Sequence, residues 1–220
     1  MMKVTLMTSK NKIAVLAAFL LFSFSYQDKA ENLVKSIQAK YKGFKDFQVE
    51  FTQISYSEFE NDSTFSSGKL YIKDKKYFRL ETEYETIITD EKVIYTLNKT
   101  RRQLLIEDAD KEEDDIFFPR KILFKYPDDY EISLIGMENI EGKNSYKIHF
   151  ISKEVDNIIS EFTVWAEKET LLINSLKTID LNENISIYGL KNFKGNQNLQ
   201  KIFFGIPDDK DIEVIDMRGN

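Results

Sequence analysis

Between Phe44 and Leu80 apolar residues fall on every second position in blocks, with a polar gap after Ile54 and the pattern resuming at Gly68. Phe47, Val49 and Phe51 alternate with Asp46, Gln48, Glu50 and Thr52. A period of two places three bulky groups on one face of an extended strand and polar groups on the other. Leu70 and Ile72 repeat the pattern after Gly68, and Phe78 and Leu80 repeat it again. Three successive strands with one apolar face each predict an antiparallel sheet that curls around something. That something is either the chain's own core or a guest.

The rest of the chain continues in kind. Residues 86–97 read as a hairpin turning at Asp90, Glu91 and Lys92, and 102–106 close that meander. Ile132 and Leu134 alternate, as do Tyr146, Ile148 and Phe150, around a turn at 141–144. Ile158, Phe162 and Val164 share a face, with Trp165 on the other. Strands are expected at 172–179 and 185–190, and Phe203-Phe204 and 212–214 supply the end. This gives about ten or eleven strands at the spacing of a sandwich or barrel. Two stretches are helical. Ala30, Leu33, Val34, Ile37 and Tyr41 follow helical spacing, with Asp28 as N-cap and Gly43 as the stop. Residues 117–126 form a short, strongly apolar helix with Pro119 in its first turn and Pro127 at its end. The acid-rich run from Asp108 to Asp115 precedes it and reads as a solvated loop. So apolar a segment between charged loops must cover something.

The N-terminus reads as a secretory signal. Lys3, Lys10 and Lys12 precede an apolar run from Ile13 to Phe24, and Ser23-Phe-Ser25 fits a small-x-small cleavage site. The run is shorter than the roughly 20 residues of a spanning helix; an uncleaved anchor is the alternative. Residues 1–25 are thus a signal peptide and 26–220 one domain, exported to the periplasm or beyond. The chain has no cysteine, so no lipid-attachment site, disulfide or thiolate metal site exists.

Composition narrows the function further. A net charge of −6 argues against a general nucleic-acid binder. His149 is the single histidine, and no Gly-x-Ser-x-Gly elbow or Gly-rich phosphate loop accompanies it. A two-histidine metal site is impossible. The carboxylates stand in no motif, and the chain has one Trp where sugar-cleaving sites use several. The residues point to a binder without metal or cofactor, not to an enzyme.

The order of these elements resembles the LolA family, the periplasmic outer-membrane lipoprotein carriers. Phe47-Gln-Val-Glu-Phe-Thr-Gln53 is similar to the family's first strand, and Gly68-Lys-Leu-Tyr-Ile-Lys73 with Tyr77-Phe-Arg79 to its second and third. Thr89-Asp-Glu-Lys-Val-Ile-Tyr95 resembles its hairpin, and Phe203-Phe-Gly-Ile-Pro207 its close. Two positions depart from the pattern. Asp74-Lys75 replace an Arg-Pro whose arginine holds the family's lid, and Glu91 replaces the hairpin glycine.

The resemblance implies a mainly β fold: one incomplete antiparallel barrel, an N-terminal helix and a short helical lid over a hydrophobic cavity. It implies a monomer that shelters lipoprotein acyl chains, with an inner-membrane ABC exporter as donor and an outer-membrane acceptor. The guest-contacting face would be Phe47, Val49, Phe51, Leu70, Ile72, Phe78 and Leu80 on the first strands, Ile122, Leu123 and Phe124 on the lid, and Phe162 and Val164 opposite. Two other uses of such a scaffold fit the same residues: a carrier of another lipid or apolar ligand, and a sensor of mislocalised lipoproteins.

Overall fold

A computed structural model of the chain describes residues 29–57, 59, 61–89, 92–109, 129–206 and 211–219. The expected signal peptide, Asp28, the turn residues Asp90 and Glu91, most of the acidic run and the lid segment with Ile122, Leu123 and Phe124 lie outside these residues.

Helix α1 spans 29–42 and ends at Gly43, whose N–H reaches back to the Ala39 carbonyl at 3.1 Å. Its apolar stripe is the one expected from the spacing: Ala30, Val34, Ile37 and Tyr41 are buried. Twelve strands follow: β1 (Asp46–Ser57), β2 (Asp62–Lys73), β3 (Tyr77–Thr82), β4 (Glu85–Thr89), β5 (Val93–Asn98), β6 (Gln103–Asp108), β7 (Tyr130–Ile140), β8 (Lys143–Ser152), β9 (Ile159–Glu167), β10 (Ile173–Asp180), β11 (Ile185–Gly195) and β12 (Glu213–Asp216). They form one sheet in the order β12-β6-β5-β4-β3-β2-β1-β11-β10-β9-β8-β7. Neighbours are hairpin partners except at β1–β11, where the two halves join, and at β12. The sheet does not close.

Three details differ from the expectation. The polar stretch after Ile54 is no gap: β1 runs on to Ser57 and β2 begins at Asp62, so the hairpin extends beyond its apolar part. Short hydroxyl side chains hold this extension, with Ser55 and Ser186 Oγ atoms 2.8 Å apart across β1 and β11. Phe203 and Phe204 sit in a 3₁₀ turn (Lys201–Phe204), not in a strand. The closing strand β12 runs parallel to β6, the one departure from antiparallel pairing.

Residues paired directly across strands share a face, so register sorts the side chains. The inner face carries Phe47 opposite Ile72 opposite Phe78, and Val49 opposite Leu70 opposite Leu80. On the other half it carries Ile132, Phe150 and Phe162, and below them Leu134, Ile148, Val164 and Leu176. Both halves and α1 belong to one buried cluster, so the sheet curls around the helix. Tyr41 is the pin. Its ring lies 5.5 Å from Phe47 and 5.8 Å from Phe193, and its hydroxyl accepts the Ile173 N–H at 3.0 Å. Burial pushes that hydroxyl's pKa far up, so it stays neutral.

The segment after β11 packs on the opposite face. Asp46 is buried, and its carboxylate accepts the backbone N–H groups of Gln197 and Leu199 at 2.6 and 3.2 Å. Asn196 N–H donates to the Asp46 carbonyl at 2.7 Å. These bonds turn the chain across the sheet to the 3₁₀ turn. There Arg79 lies 4.6 Å from the Phe203 ring centroid and donates from Nη1 to the Phe203 carbonyl at 2.8 Å, while Glu81 holds its other nitrogens. Phe204 is buried, and so are Ile88, Leu104 and Ile106 of the same outer face.

Two substitutions test these ties. Asp46→Ala strands two backbone donors and should cost about 1–3 kcal/mol; Tyr41→Phe leaves the Ile173 N–H unpaired and should fall in the same range, about 1–3 kcal/mol. Lys177→Ala on the outer face should stay within about 0.5 kcal/mol. Urea denaturation of the three variants measures all of this.

Candidate functional site

The inner face is the candidate site. Nine of the twelve residues assigned to it from sequence are among those described. Phe47, Val49, Leu70, Ile72, Phe78, Phe162 and Val164 are buried in one cluster, and Leu80 is half-buried against it. Phe51 is also buried but lies outside that cluster, its ring beside Gly68. Gly68 is required there: a Cβ would sit 1.9 Å from the Glu81 carbonyl oxygen, so a side chain would push β3 off β2. These apolar side chains pack on one another and on α1, and the described part of the face is closed.

Residues not assigned from sequence complete the face. Phe150 stacks on Phe162 at 4.1 Å with 11° between the rings, and Tyr130 meets Phe162 edge-on at 5.0 Å. Phe150 and Ile148 carried the same alternation, so their signal was present. Phe193 had none. It faces inward, 5.3 Å from the Phe47 ring, because β11 bulges at Asn192, whose φ is 53°. The extra residue breaks the period of two.

Along β1 the inner face changes character. Phe47, Val49 and Phe51 are followed on the same side by Gln53 and Ser55, and β2 answers with Ser66 and Thr64. β11 and β10 add Ser186 and Thr178. Gln53 donates to Ser55 Oγ at 2.8 Å, and Ser55 pairs with Ser186. On these four strands the face is thus apolar at the helix end and hydroxyl-rich toward the hairpin end, and the same row continues across β9, β8 and β7 as Phe162, Phe150 and Ile132. On β1, β2 and β11 the apolar residues at the hairpin end lie on the outer side: Ile54 is flanked by Phe65 and Ile187, and all three are exposed.

The outer face also carries a shallow groove of about 380 Å³ lined by Glu50, Phe51, Thr52, Ser67, Gly68, Lys69, Gly189 and Lys191. It lies where Gly189 leaves room beside Thr52. Hydrogen bonding from Asn192 and the charge of Lys69 hold the Glu50 carboxyl below its usual range. His149 is on this face too, half-buried, with Nε2 3.1 Å from Glu161 Oε2 and with Ser133 and Thr163 as its cross-strand neighbours. Trp165 donates to Glu138 Oε2 at 3.0 Å and lies under Lys147. Among the described residues no three His, Asp or Glu side chains converge on a possible metal position. The described part of the arrangement offers an interior that is apolar on most strands and hydroxyl-bearing on four.

Known proteins with this architecture share little sequence with the chain. An uncharacterized conserved protein from Thermus thermophilus superposes with a TM-score of 0.57 at 13% identity, covering 83% of this chain and 98% of that one. The Mycobacterium tuberculosis lipoprotein LppX superposes with a TM-score of 0.50 at 9% identity, covering 79% of this chain and 98% of LppX. These likenesses are of fold. No curated protein matches the chain by sequence. The family model described as outer membrane lipoprotein carrier protein LolA does match, over residues 42–207. That span takes in the sheet from β1 through β11, the tie at Asp46 and the 3₁₀ turn, and the chain is a member of the LolA family.

Proposed function

We propose that the chain carries the acyl chains of lipoproteins on its inner face, as a periplasmic monomer freed of residues 1–25. It receives them from an inner-membrane ABC exporter and delivers them to the outer membrane. The observation that carries this reading is the division of the inner face. An apolar floor from Phe47 to Phe51 and from Leu70 to Leu80 passes, along the same strands, into the hydroxyls of Ser55, Ser66 and Ser186. A purely hydrocarbon ligand has no use for the second part. An amphiphile fits both, with acyl chains on the floor and its polar end at the hydroxyls. Membership of the carrier family supports the same reading.

The energies set how such a carrier works. Acyl burial yields about 0.8 kcal/mol per CH₂, so one chain of about 15 carbons returns about 12 kcal/mol. A domain of this kind is stable by about 5–15 kcal/mol. Guest burial is therefore large enough to open the closed packing around Phe47 and Phe162. Three fully sheltered chains would yield about 36 kcal/mol, beyond the roughly 20 kcal/mol at which non-covalent binding saturates. The chains are held in part, and release goes directly from one apolar mouth to another. The segment with Ile122, Leu123 and Phe124 is the proposed cap over the guest. No step calls for catalysis, a metal or a cofactor.

Organic extraction of protein purified without detergent, read by mass spectrometry, should release acylated lipopeptide. Adding a synthetic triacylated lipopeptide to delipidated protein should raise its melting temperature, because a ligand bound only by the native state stabilises it. Leu80→Glu places a charge on the apolar floor and should lower cargo recovery at least tenfold while the circular dichroism spectrum is kept. An extract with no acyl compound, together with no thermal shift, rules the carrier out. A different amphiphile in the extract keeps the site and replaces the cargo.

A further inference from the structure

The corner of the sheet where α1 meets β1 gathers lysines, in a molecule whose net charge is negative. Three separate segments meet there: the end of α1 and start of β1 (40–46), the β2–β3 turn (73–77) and the exit from β11 (194–201). Asp74 N–H donates to the Lys45 carbonyl at 2.8 Å, Lys45 N–H to Asn196 Oδ1 at 2.9 Å, and Asn196 N–H to the Asp46 carbonyl at 2.7 Å. Lys201 Nζ lies 4.9 Å from the Tyr77 ring centroid. Within these segments the sequence has eight lysines and two aspartates, in a chain whose net charge is −6. Asp46 is buried and accepts backbone N–H groups from the β11 exit, so it does not screen the surface. Asp74 lies 3.7 Å from Lys73. Lys40, Lys42, Lys45, Lys75, Lys76 and Lys194 are exposed around them. Of the carboxylates that border them, Glu50 is taken by Asn192 and Lys69, and Glu141 by Lys191.

An apolar knob adjoins this patch. In the 3₁₀ turn Phe203 and Phe204 face the sheet, the first under Arg79 and against Tyr71, the second buried. Ile202, next to Lys201, therefore points outward and is 87% exposed, and Ile206 is 40% exposed. The turn is fastened to β3 by the Arg79 bond to the Phe203 carbonyl, so the knob is held and not trailing.

We infer that this corner is a docking surface for an anionic lipid bilayer, with the lysines over the headgroups and Ile202 entering the interface. The residue types favour a bilayer over an acidic protein. All eight cations are lysines, which act as point charges on mobile stems; a defined carboxylate site favours the planar fork of arginine. A fluid anionic surface asks only for summed charge and one apolar contact, the two signals that hold peripheral proteins. The corner lies at the helix end of the sheet, opposite the hydroxyl-rich end of the inner face, so a docked molecule keeps that end away from the headgroups. The inference does not rest on the acyl-carrier reading: the chain without cargo should bind as well.

Cosedimentation of the full chain, delipidated, with vesicles of phosphatidylcholine containing 30% phosphatidylglycerol (about one lipid in three) tests it. Binding is expected at low salt and should fade as the screening length shortens below about 10 Å above 0.1 M salt. Each neutralised lysine should weaken partitioning about fivefold, so Lys42→Gln, Lys45→Gln and Lys75→Gln combined should weaken it on the order of a hundredfold by the same rule. Ile202→Ser should give a smaller loss that persists at high salt. Arg101→Gln, at the other end of the sheet, should bind as the parent does. Residues 1–25, where retained, are common to parent and variants and cancel in the comparison. Circular dichroism keeps the triple variant interpretable. A triple variant that sediments like the parent overturns the inference. So does corner-dependent retention on immobilised polyglutamate without vesicle binding, which assigns the surface to an acidic protein instead.

Discussion

A sheet has two faces, and this chain has one described helix with which to cover them. Everything else in the fold follows from that shortage. Twelve strands in one sheet would leave a wide apolar surface in water if they stayed flat. The sheet instead curls until Phe47, Phe78, Phe150 and Phe162 share a cluster with Ala30, Val34, Ile37 and Tyr41. Tyr41 matters most, because it joins β1, β11 and β10 from the helix side through two ring contacts and one hydrogen bond.

The outer face is covered by a different device. No helix packs there among the described residues. The segment after β11 does so with a 3₁₀ turn, before the chain adds β12 to the sheet edge beside β6. Asp46 directs it and Arg79 receives it. This economy leaves Ile202 exposed beside the lysines of the β2–β3 turn, so one fastening both completes the fold and shapes the surface proposed to meet a membrane.

The proposed carrier role draws on the same scarcity. A core built from one helix and a curved sheet is long, shallow and apolar, and its hydroxyl-rich end at Ser55, Ser66 and Ser186 is closed only by short side chains. Such an interior differs from an enzyme's pocket, where polar groups converge on a point. Here they lie in two adjacent rows, Ser66 beside Gln53 and Ser55 beside Ser186, next to an apolar surface, which suits the amphiphile proposed as guest. In the proposed carrier, acyl burial is the term large enough to open this packing.

Alternation and helical spacing are local, and they were readable by themselves: α1 with its stripe, the inward set Phe47, Val49, Leu70, Ile72 and Phe78, the outward turn of Trp165, and the order of motifs that places the chain in its family. These follow from side-chain direction within a single element. The tertiary structure decided what local pattern cannot hold. Phe193 faces inward only because β11 bulges opposite Val49; the Ser and Thr stretch is strand because β1 and β2 pair through it and β11 pairs with β1 alongside; and Phe203 and Phe204 leave the sheet because Asp46 and Arg79, distant in sequence, tie their segment across it. The basic corner has the same origin. Its lysines are scattered over three segments, and charges add only where backbone hydrogen bonds bring those segments together.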